Sequence, residues 1–449
     1  MTVTASTDLR ARVRALMPDI RRDLERLVRI PSVSAPGHDP APLVRSAETV
    51  AEILKASGCE AKILRAENGH PAVVGYVAGP AGSPSVLLYA HHDVQPPGPD
   101  AEWTSPAFEP SERGDRLHGR GVADDKAGVM AHAAALRAFG GKPPVSVAVF
   151  VEGEEEAGSE NLRSYLEREK DRLHSDVVVV ADSGNWRIGV PALTTTLRGN
   201  VACVVELRVL DKAVHSGGFG GPVPDALTAL AHLLASLHDE KGRVRIEGLV
   251  RGKADPLDYT ERDLREQAGM REGVELIGDG GLTDRVWMMP AVSVLAIDAP
   301  SVHDAINQLV PAARAKVSMR IPPGQDGKKA LDALVTHLQR NVPWGAELRI
   351  ERSSIGEPFT AKTGGPAYRA MHSALTEAWG HKSVDMGQGG SIPFLFDFQE
   401  LFPKAEILVT GVDDPQSGPH GPDEGLHLAE FERVCVAEAL FLTKLAESR

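Results

Sequence analysis

The feature that most constrains this fold is an alternation of strand-like and helical segments between residues 86 and 180. The strand-like runs are nearly continuous valine and leucine, which is typical of strands buried on both faces. Helical stretches separate successive runs, and such crossovers connect parallel strands. The pattern therefore predicts an α/β fold, with a mixed, mostly parallel sheet flanked by helices. The segments in order are Val86 to Tyr89, Ala127 to Phe139, Val145 to Val151, Asn161 to Leu173 and Val177 to Val180.

The pattern changes after about residue 195 and returns near Gly365. In between, the runs VACVVELRVL and RAKVSMRI alternate apolar and polar residues more regularly, and they flank a long helical stretch and a Gly-rich, acidic segment. Such a mixture indicates a separate α+β domain inserted into the first one. We predict a discontinuous α/β domain, residues 1–195 and 362–449, interrupted by an inserted domain, residues 196–361.

Composition excludes several classes of protein. The 449 residues are 42% apolar and 25% charged, with a formal net charge of -13, which argues against extensive disorder and against nucleic acid as the main partner. Cys59, Cys203 and Cys435 are too few and too far apart for a disulfide framework. The N-terminus lacks the pattern of a secretory leader, and no apolar run reaches the length of about 18 residues that a membrane span needs. We therefore predict a cytoplasmic protein with no nucleic-acid or membrane partner.

Histidine and carboxylate residues follow the predicted strands, and one acidic pair precedes a helix. Because ligands of open parallel sheets bind beyond the carboxyl ends of the strands, these residues are expected to meet at one edge. A set of imidazoles and carboxylates without thiolates suits zinc, manganese or cobalt. Each motif alone is more typical of a solvated acidic loop, a turn or a helix N-cap than of a metal site, so the prediction of a metal site depends on their common placement. The segments concerned are His91 to Asp93, Asp124 and Asp125, Glu154 to Glu156, Asp182, and Asp413 to His420.

Spacing within two of these segments divides the roles. In an extended chain His91 and Asp93 point to the same side and His92 to the other, so His91 is the candidate ligand. The carboxylate of Asp93 is expected to hydrogen-bond the far nitrogen of His91 and to raise its basicity. Glu155 and Glu156 are neighbours that cannot both reach one ion in extended geometry, which favours one ligand and one general base.

Six motifs carry a family resemblance: LLYAHHDVQP, GRGVADDKAG, VEGEEEAGS, AVHSGGFGG, GQGGSIP and GPHGPDE. In this order, from about residue 85 to 427, they resemble the motifs of the aminoacylase and carboxypeptidase family of dinuclear metallopeptidases. The resemblance is closest to its carnosine dipeptidase-like branch, that of the cytosolic non-specific dipeptidases.

The resemblance implies two divalent cations bridged by Asp124, with Zn²⁺ favoured and Mn²⁺ or Co²⁺ as alternatives. It also implies that Glu155 is the general base and that the Asp124–Asp125 peptide bond is cis. Asp93 is then the partner of His91. The implied ligands of one ion are His91 and Asp182, and those of the other are Glu156 and His420.

The resemblance further implies that the inserted domain is a lid and dimerisation domain, so a homodimer is expected. His215 resembles a lid histidine that reaches the scissile carbonyl, usually in the neighbouring subunit's site. Arg320 matches an arginine that binds the substrate carboxylate, where a planar guanidinium suits bidentate contact. Further candidates for substrate binding are Asn307, Gln388, Gly390 and Ser391.

The leading functional hypothesis is metal-dependent hydrolysis of an amide bond in small peptides, most simply dipeptides. Members of the branch commonly carry Glu where this chain has Gln388, and a neutral side chain weakens recognition of a free α-ammonium group. A deacylase of N-acyl amino acids and a C-terminal exopeptidase therefore stay open as alternatives. A hypothesis of another class is a catalytically silent peptide-binding protein.

Overall fold

The computed structural model describes residues 3–390, 392 and 394–448. The chain divides into two compact units. The first unit comprises Met1–Thr195, Ala361–Met386 and Phe394–Arg449, and the second comprises Thr196–Thr360 and Gly387–Pro393. Within the described ranges, no helix is both long enough and apolar enough to cross a bilayer.

Helices and strands follow one another along three stretches of chain. The first stretch contains α1 (Val3–Val28), α2 (Ala41–Ala56), β1 (Glu60–Leu64), β2 (Ala72–Val77), β3 (Ser85–His91), β4 (Ser111–Arg113), β5 (Arg116–His118), α3 (Lys126–Ala138), β6 (Ser146–Glu152), α4 (Leu162–Arg168), α5 (Lys170–Leu173), β7 (Val177–Val180) and β8 (Ala192–Leu197). The middle stretch contains β9 (Gly199–Arg208), β10 (Val214–His215), α6 (Ser216–Phe219), α7 (Ala226–Ala235), α8 (Glu261–Gln267), β11 (Ala291–Asp298), β12 (Gln308–Leu309), β13 (Ala312–Ile321), α9 (Gly327–Arg340), β14 (Glu347–Gly356) and β15 (Phe359–Thr360). The last stretch contains α10 (Pro366–Trp379), β16 (Val384–Gln388), α11 (Leu395–Leu401), β17 (Glu406–Val409), β18 (Gly425–His427) and α12 (Leu428–Glu447).

The sheet of the first unit has the strand order β1-β2-β6-β3-β7-β17-β8, and β16 also pairs with β8. The central strands β6, β3, β7 and β17 are parallel to one another. The pairs β1–β2, β2–β6 and β17–β8 are antiparallel. The prediction of an α/β fold with a mixed sheet is therefore confirmed, and all of the predicted strands between residues 86 and 180 are present.

The core of the first unit lies between this sheet and the helices α1, α3 and α12. Strand β3 is buried on both faces, as its unbroken apolar run predicts. Helix α3 is also buried around most of its circumference, and five of its alanines are fully buried. Small side chains let α3 approach β3 and both neighbouring helices closely, so this helix and its preceding loop are held firmly in place.

A buried ion pair joins α3 to α12. Nδ1 of His132 lies 2.9 Å from both carboxylate oxygens of Glu438, and Nε2 donates to the carbonyl of Tyr89 at 3.1 Å. Burial lowers the pKa of His132, but the charge and hydrogen bond of Glu438 more than offset this, so the pKa lies above its ordinary value. The imidazolium and the carboxylate are therefore paired inside the core.

Substituting Glu438→Gln should lower the free energy of unfolding by about 3 kcal/mol, because the change leaves a buried imidazolium without its counter-charge. Urea denaturation at pH 6 measures the effect. Glu432→Gln is the matched control on the same helix, since its pair with Arg14 is on the surface and should contribute less than about 1 kcal/mol. Equal effects of the two substitutions would contradict a paired charge in the core.

The second unit is built on an antiparallel sheet with the order β11-β13-β9-β14. Inward-facing residues of β9 and β13 alternate with outward-facing ones, and helices α7 and α9 pack on the apolar face. The alternation seen in the sequence thus corresponds to a sheet covered on one side. The functional role of this unit as a lid and dimerisation domain stays a prediction.

One segment differs from the predicted domain boundary. Residues 387–393 group with the second unit, whereas the sequence placed all of 362–449 in the first. Gly387 lies so close to Trp287 and Thr196 that a Cβ atom would approach their side chains to 2.7–2.8 Å. The backbone N–H of Arg198 donates to the carbonyl of Gln388, and Nε of Arg198 donates to that of Gly389 at 3.2 Å. These contacts bind the segment to the second unit.

Candidate metal centre

Loops at the carboxyl edge of the sheet bring the five predicted metal ligands together. His91 is the last residue of β3, Asp182 follows β7, and Glu156 lies in a short 3₁₀ turn, Glu155–Ala157, after β6. Asp124 precedes α3, and His420 lies in the loop between β17 and β18. This is the edge at which the sequence placed them.

The five residues form two groups that share Asp124. Ligand atoms of His91, Asp124 and Asp182 lie within 4.8 Å of one another, and so do those of Asp124, Glu156 and His420. Nε2 of His91 lies 3.0 Å from Oδ1 of Asp124, and Nε2 of His420 lies 3.0 Å from its Oδ2. Each carboxylate oxygen of Asp124 thus faces a different group, as a residue that bridges two ions would require.

The charges at this edge favour a cation. Burial, together with repulsion from Glu155 and Asp124, holds the pKa of Asp182 well above its ordinary value. Burial and the neighbouring carboxylates also raise the pKa of Glu155 to about 8. Buried carboxylates at such short separations need positive charge between them, and nitrogen and oxygen donors without thiolates suit zinc, manganese or cobalt. The residues present therefore fit divalent cations.

The backbone of Asp93 orients His91. Nδ1 of His91 donates to the Asp93 carbonyl at 3.1 Å, whereas the nearest carboxylate oxygen of Asp93 is 3.4 Å away. That carboxylate accepts hydrogen bonds from the backbone N–H groups of Glu155 at 3.2 Å and Glu156 at 3.0 Å. The main acceptor for Nδ1 of His91 is thus the backbone carbonyl of Asp93, whereas its carboxylate was expected. The carboxylate of Asp93 positions Glu155 and Glu156. Nε2 of His91 remains available for a metal ion.

His92 is not a ligand candidate in the structure. Its side chain is fully buried on the other side of β3, where Nε2 donates to the carbonyl of Pro71 at 2.9 Å. Burial lowers the pKa of His92 to about 4, so the ring is neutral. The period of two along the strand correctly separates His91 from His92.

Glu155 and Glu156 differ in their surroundings. They lie in a 3₁₀ turn, so the extended geometry assumed for them in the sequence was wrong. The carboxylate of Glu156 is 3.3 Å from Nε2 of His420 and accepts a hydrogen bond from Gln95 at 2.8 Å. Glu155 belongs to neither ligand group among the described residues. Its role as general base stays a prediction.

The Asp124–Asp125 peptide bond is cis, as the resemblance predicted. Oδ2 of Asp125 accepts a hydrogen bond from the backbone N–H of His91 at 3.1 Å. The two aspartates therefore have separate tasks. Asp124 faces both ligand groups, whereas Asp125 connects its loop to the end of β3.

The predicted substrate-binding residues lie in the second unit. Nδ1 of His215 accepts a hydrogen bond from the backbone N–H of Gly217. His215 ends β10 and pairs with Gln308 of β12, and Asn307, directly before β12, accepts a hydrogen bond from the N–H of Ser216 at 3.1 Å. Arg320 is half-buried at the end of β13, and burial lowers its pKa. Gln388 and Gly390 lie in the segment that Arg198 contacts. Ser391 lies outside the described residues.

Sequence reasoning missed several residues around these groups. Gln95, Arg120 and Glu424 contact the ligands or their backbone, and Arg198 contacts the segment that contains Gln388. Gln95, Arg120 and Glu424 lie inside the motifs HHDVQP, GRGVADDKAG and GPHGPDE, and this position could have marked them as residues of the site. Arg198 precedes a strand and had no such indication.

Comparison with known proteins identifies the family. Residues 87–444 match the sequence profile of peptidase family M20/M25/M40. The chain belongs to this family. Membership in M20/M25/M40 confirms the resemblance seen in the motifs and makes the chain a hydrolase of a metallopeptidase family.

Relatives of this M20 chain include named dipeptidases. A cysteinylglycine-S-conjugate dipeptidase of Corynebacterium striatum is 37% identical over 376 residues, which cover 82% of this chain and 82% of the relative. A Beta-Ala-His dipeptidase of Rattus norvegicus is 27% identical over 84% of this chain and 80% of the relative.

Solved structures of the same fold include human carnosine dipeptidase 1, with a TM-score of 0.82 and 22% identity over 98% of this chain and 99% of that one. The di-peptidase Dug1p from Saccharomyces cerevisiae has a TM-score of 0.83 and 23% identity over 99% of both chains. At these identities the two structures show the fold alone.

Proposed function

We propose that this M20 hydrolase cleaves the amide bond of dipeptides at a site that holds two divalent cations. The observation that carries the proposal is the pair of ligand groups that share Asp124, with Glu155 beside them and outside both. The dipeptidase names of the relatives from Corynebacterium striatum and Rattus norvegicus support dipeptides as the substrate class. Zn²⁺ is the favoured metal, with Mn²⁺ or Co²⁺ as alternatives, because the same donors accept all three.

The side chains at the site have separate roles in amide hydrolysis. Bound cations would act as Lewis acids and would lower the pKa of a water molecule at the site. Glu155 takes a proton from that water and passes it to the leaving amine, as a general base and then a general acid. The carboxylate of Asp93 holds Glu155 in place by accepting a hydrogen bond from the backbone N–H of Glu155 at 3.2 Å. The motif resemblance assigns polarisation of the scissile carbonyl to His215, in the site of its own or of the neighbouring subunit, and binding of the substrate carboxylate to Arg320.

A substrate panel tests this proposal. The metal-replete protein is assayed with dipeptides, N-acetyl amino acids and tripeptides under matched conditions. We expect dipeptides to give the highest kcat/KM. A preference for N-acetyl amino acids would favour the deacylase, for which the neutral Gln388 is the supporting observation, and a preference for tripeptides would favour the C-terminal exopeptidase. Hydrolysis of none of them would contradict the proposal and favour a silent peptide-binding protein.

We also propose that two copies of the chain associate through β11. This strand lies at the edge of the second unit's sheet and exposes Val294 (42%), Leu295 (59%) and Ile297 (52%). A long apolar edge strand invites pairing with another chain, whereas the opposite edge strand, β14, carries charged residues. A second copy supplies an identical strand, which gives a closed, symmetric pairing.

The substitution Leu295→Lys should shift the protein from dimer to monomer, because it places a charge in the proposed apolar interface. Light scattering coupled to size-exclusion chromatography measures the mass. Glu351→Lys on β14 is the matched control and should leave the mass unchanged. A wild-type protein that is monomeric at 50 μM, or a dimer that Leu295→Lys does not weaken, would contradict the proposed interface.

A cytoplasmic location stays part of the proposal. Cys59, Cys203 and Cys435 are all free and buried. Unpaired cysteines are typical of proteins in a reducing compartment.

A further inference from the structure

A buried ion pair outside both ligand groups joins two of the ligand-bearing loops. Nη1 of Arg120 donates to Oε2 of Glu424 at 2.7 Å, and the two side chains are 2% and 0% exposed. The residues are 304 positions apart in the chain. Burying two charges in this way is costly unless every polar atom finds good geometry, so the other contacts of the pair are informative.

Glu424 holds the loop that ends at Asp124. Its Oε2 also accepts the backbone N–H of Gly121 at 2.9 Å, and its Oε1 accepts those of Ala123 at 2.9 Å and Asp124 at 3.1 Å. One carboxylate thus binds three amides within four consecutive residues. Gly121 has a φ of +79°, and a Cβ atom there would lie 2.4 Å from Val94. The loop can therefore adopt this conformation only with glycine at that position.

Arg120 holds the loop that contains His420. Its Nη2 donates to the carbonyl of His420 at 2.9 Å and to that of Gly421 at 3.1 Å. His420 has a φ of +63°, in the left-handed region that residues other than glycine seldom adopt. Two charge-assisted hydrogen bonds to this turn offset the cost of that conformation and set the direction of the imidazole.

A small sheet brings Arg120 and Glu424 together. Strands β18, β5 and β4 form a separate three-stranded sheet in which Gly425 pairs with His118. Glu424 directly precedes β18, and Arg120 follows β5 by two residues. The backbone N–H of Gly119 also donates to the carbonyl of Glu424 at 3.0 Å. The pair is therefore placed by strand pairing and not by the ligands themselves.

We propose that Arg120 and Glu424 are positioning residues that set the affinity of the cation site formed by Asp124, Glu156 and His420. The proposal rests on the function proposed above and deepens it. Glu424 fixes Asp124 and Arg120 fixes His420, so the ion pair holds Nε2 of His420 and Oδ2 of Asp124 at their separation of 3.0 Å. His91 and Asp182 receive no hydrogen bond from either member of the pair among the contacts described, so their group shares only the anchored Asp124 and should be affected less.

The substitution Glu424→Gln tests this with little change in shape. Each carboxylate oxygen of Glu424 accepts hydrogen bonds from two N–H groups. A glutamine in either orientation would replace one of these oxygens by an –NH₂ group, which is itself a donor and cannot accept those two hydrogen bonds. Arg120→Lys is the second variant. It keeps the buried positive charge, but a single ammonium group lacks the fork that reaches both Glu424 and the two carbonyls.

The measurement is a titration of the chelator-treated protein with Zn²⁺ against a competing chromogenic chelator, which gives two dissociation constants. We expect both variants to weaken one of the two binding steps by about 10- to 100-fold, the size typical for residues that orient metal ligands, and the other step by less than about threefold. Glu438→Gln is the matched control, because it breaks another buried pair in the same unit whose members do not contact the ligand loops. It should leave both constants unchanged.

Three results separate the possibilities. Wild-type protein that binds fewer than two Zn²⁺ ions would overturn the proposed function itself. Wild-type protein with two sites, and unchanged constants in a folded Glu424→Gln or Arg120→Lys variant, would overturn only the positioning role. Equal weakening of both steps would also overturn it, since the pair would then act on the whole fold. Circular dichroism of each metal-free variant establishes folding, and Arg120→Lys decides the case if Glu424→Gln does not fold.

Discussion

Replacing Glu155 by glutamine is expected to lower kcat for a dipeptide by about 10²- to 10⁴-fold, the range typical for the loss of a general base. Glutamine has nearly the same shape but cannot accept a proton from water. The backbone N–H groups of Glu155 and Glu156 would still donate to Asp93, so the 3₁₀ turn should keep its geometry. KM should change much less than kcat, because the substitution removes an interaction made in the transition state.

Steady-state kinetics together with metal analysis of the purified variant measure this effect. Glu160→Gln is the matched control, since Glu160 is an exposed carboxylate on the same loop, and its kcat should equal that of the wild type. The variant should retain the same number of cations as the wild type. Loss of a cation from Glu155→Gln would contradict the assignment, because Glu155 would then be a ligand. A kcat within tenfold of the wild type would contradict its role as general base.

The central sheet and the identity of the ligand segments could be predicted because their causes are local. Unbroken valine and leucine runs indicate strands buried on both faces, and the period of two in β3 separates His91 from His92. The carboxyl-edge rule then places the ends of these strands together. These predictions needed no knowledge of contacts between distant parts of the chain.

The parts that could not be predicted depend on tertiary contacts. The Glu155–Ala157 turn is stabilised by Asp93, which lies 62 and 63 residues before the two amides that it accepts. Arg120 and Glu424 are paired only because the sheet of β18, β5 and β4 joins remote segments. Likewise, Gly387 joins the second unit because it fits against Trp287, which no local pattern indicates. Patterns of residue type identify chemical candidates, but long-range packing decides their conformation and their neighbours.

Removing divalent cations with a chelator is expected to abolish hydrolysis and to make the protein easier to unfold. Asp124 and Asp182 belong to one ligand group, and burial together with the charges of Glu155 and Asp124 raises the pKa of Asp182, so the charged form of Asp182 is unfavourable without a cation. A ligand that binds only the folded state at 100 times its dissociation constant adds about 2.7 kcal/mol to the free energy of unfolding. Both effects should therefore reverse together when Zn²⁺ or Mn²⁺ is restored.

Urea denaturation and a dipeptide assay, each before chelation, after it and after readdition of metal, measure the two effects. The control is protein dialysed without chelator, which should keep both its activity and its stability. The comparison also decides between the two classes of function, because a peptide-binding protein with the same ligands would show the stability change but no hydrolysis at any stage. Hydrolysis that persists at full rate after the cations have been removed would contradict the metal-dependent reaction, since Glu155 alone provides no means of lowering the pKa of water far enough for attack on an amide.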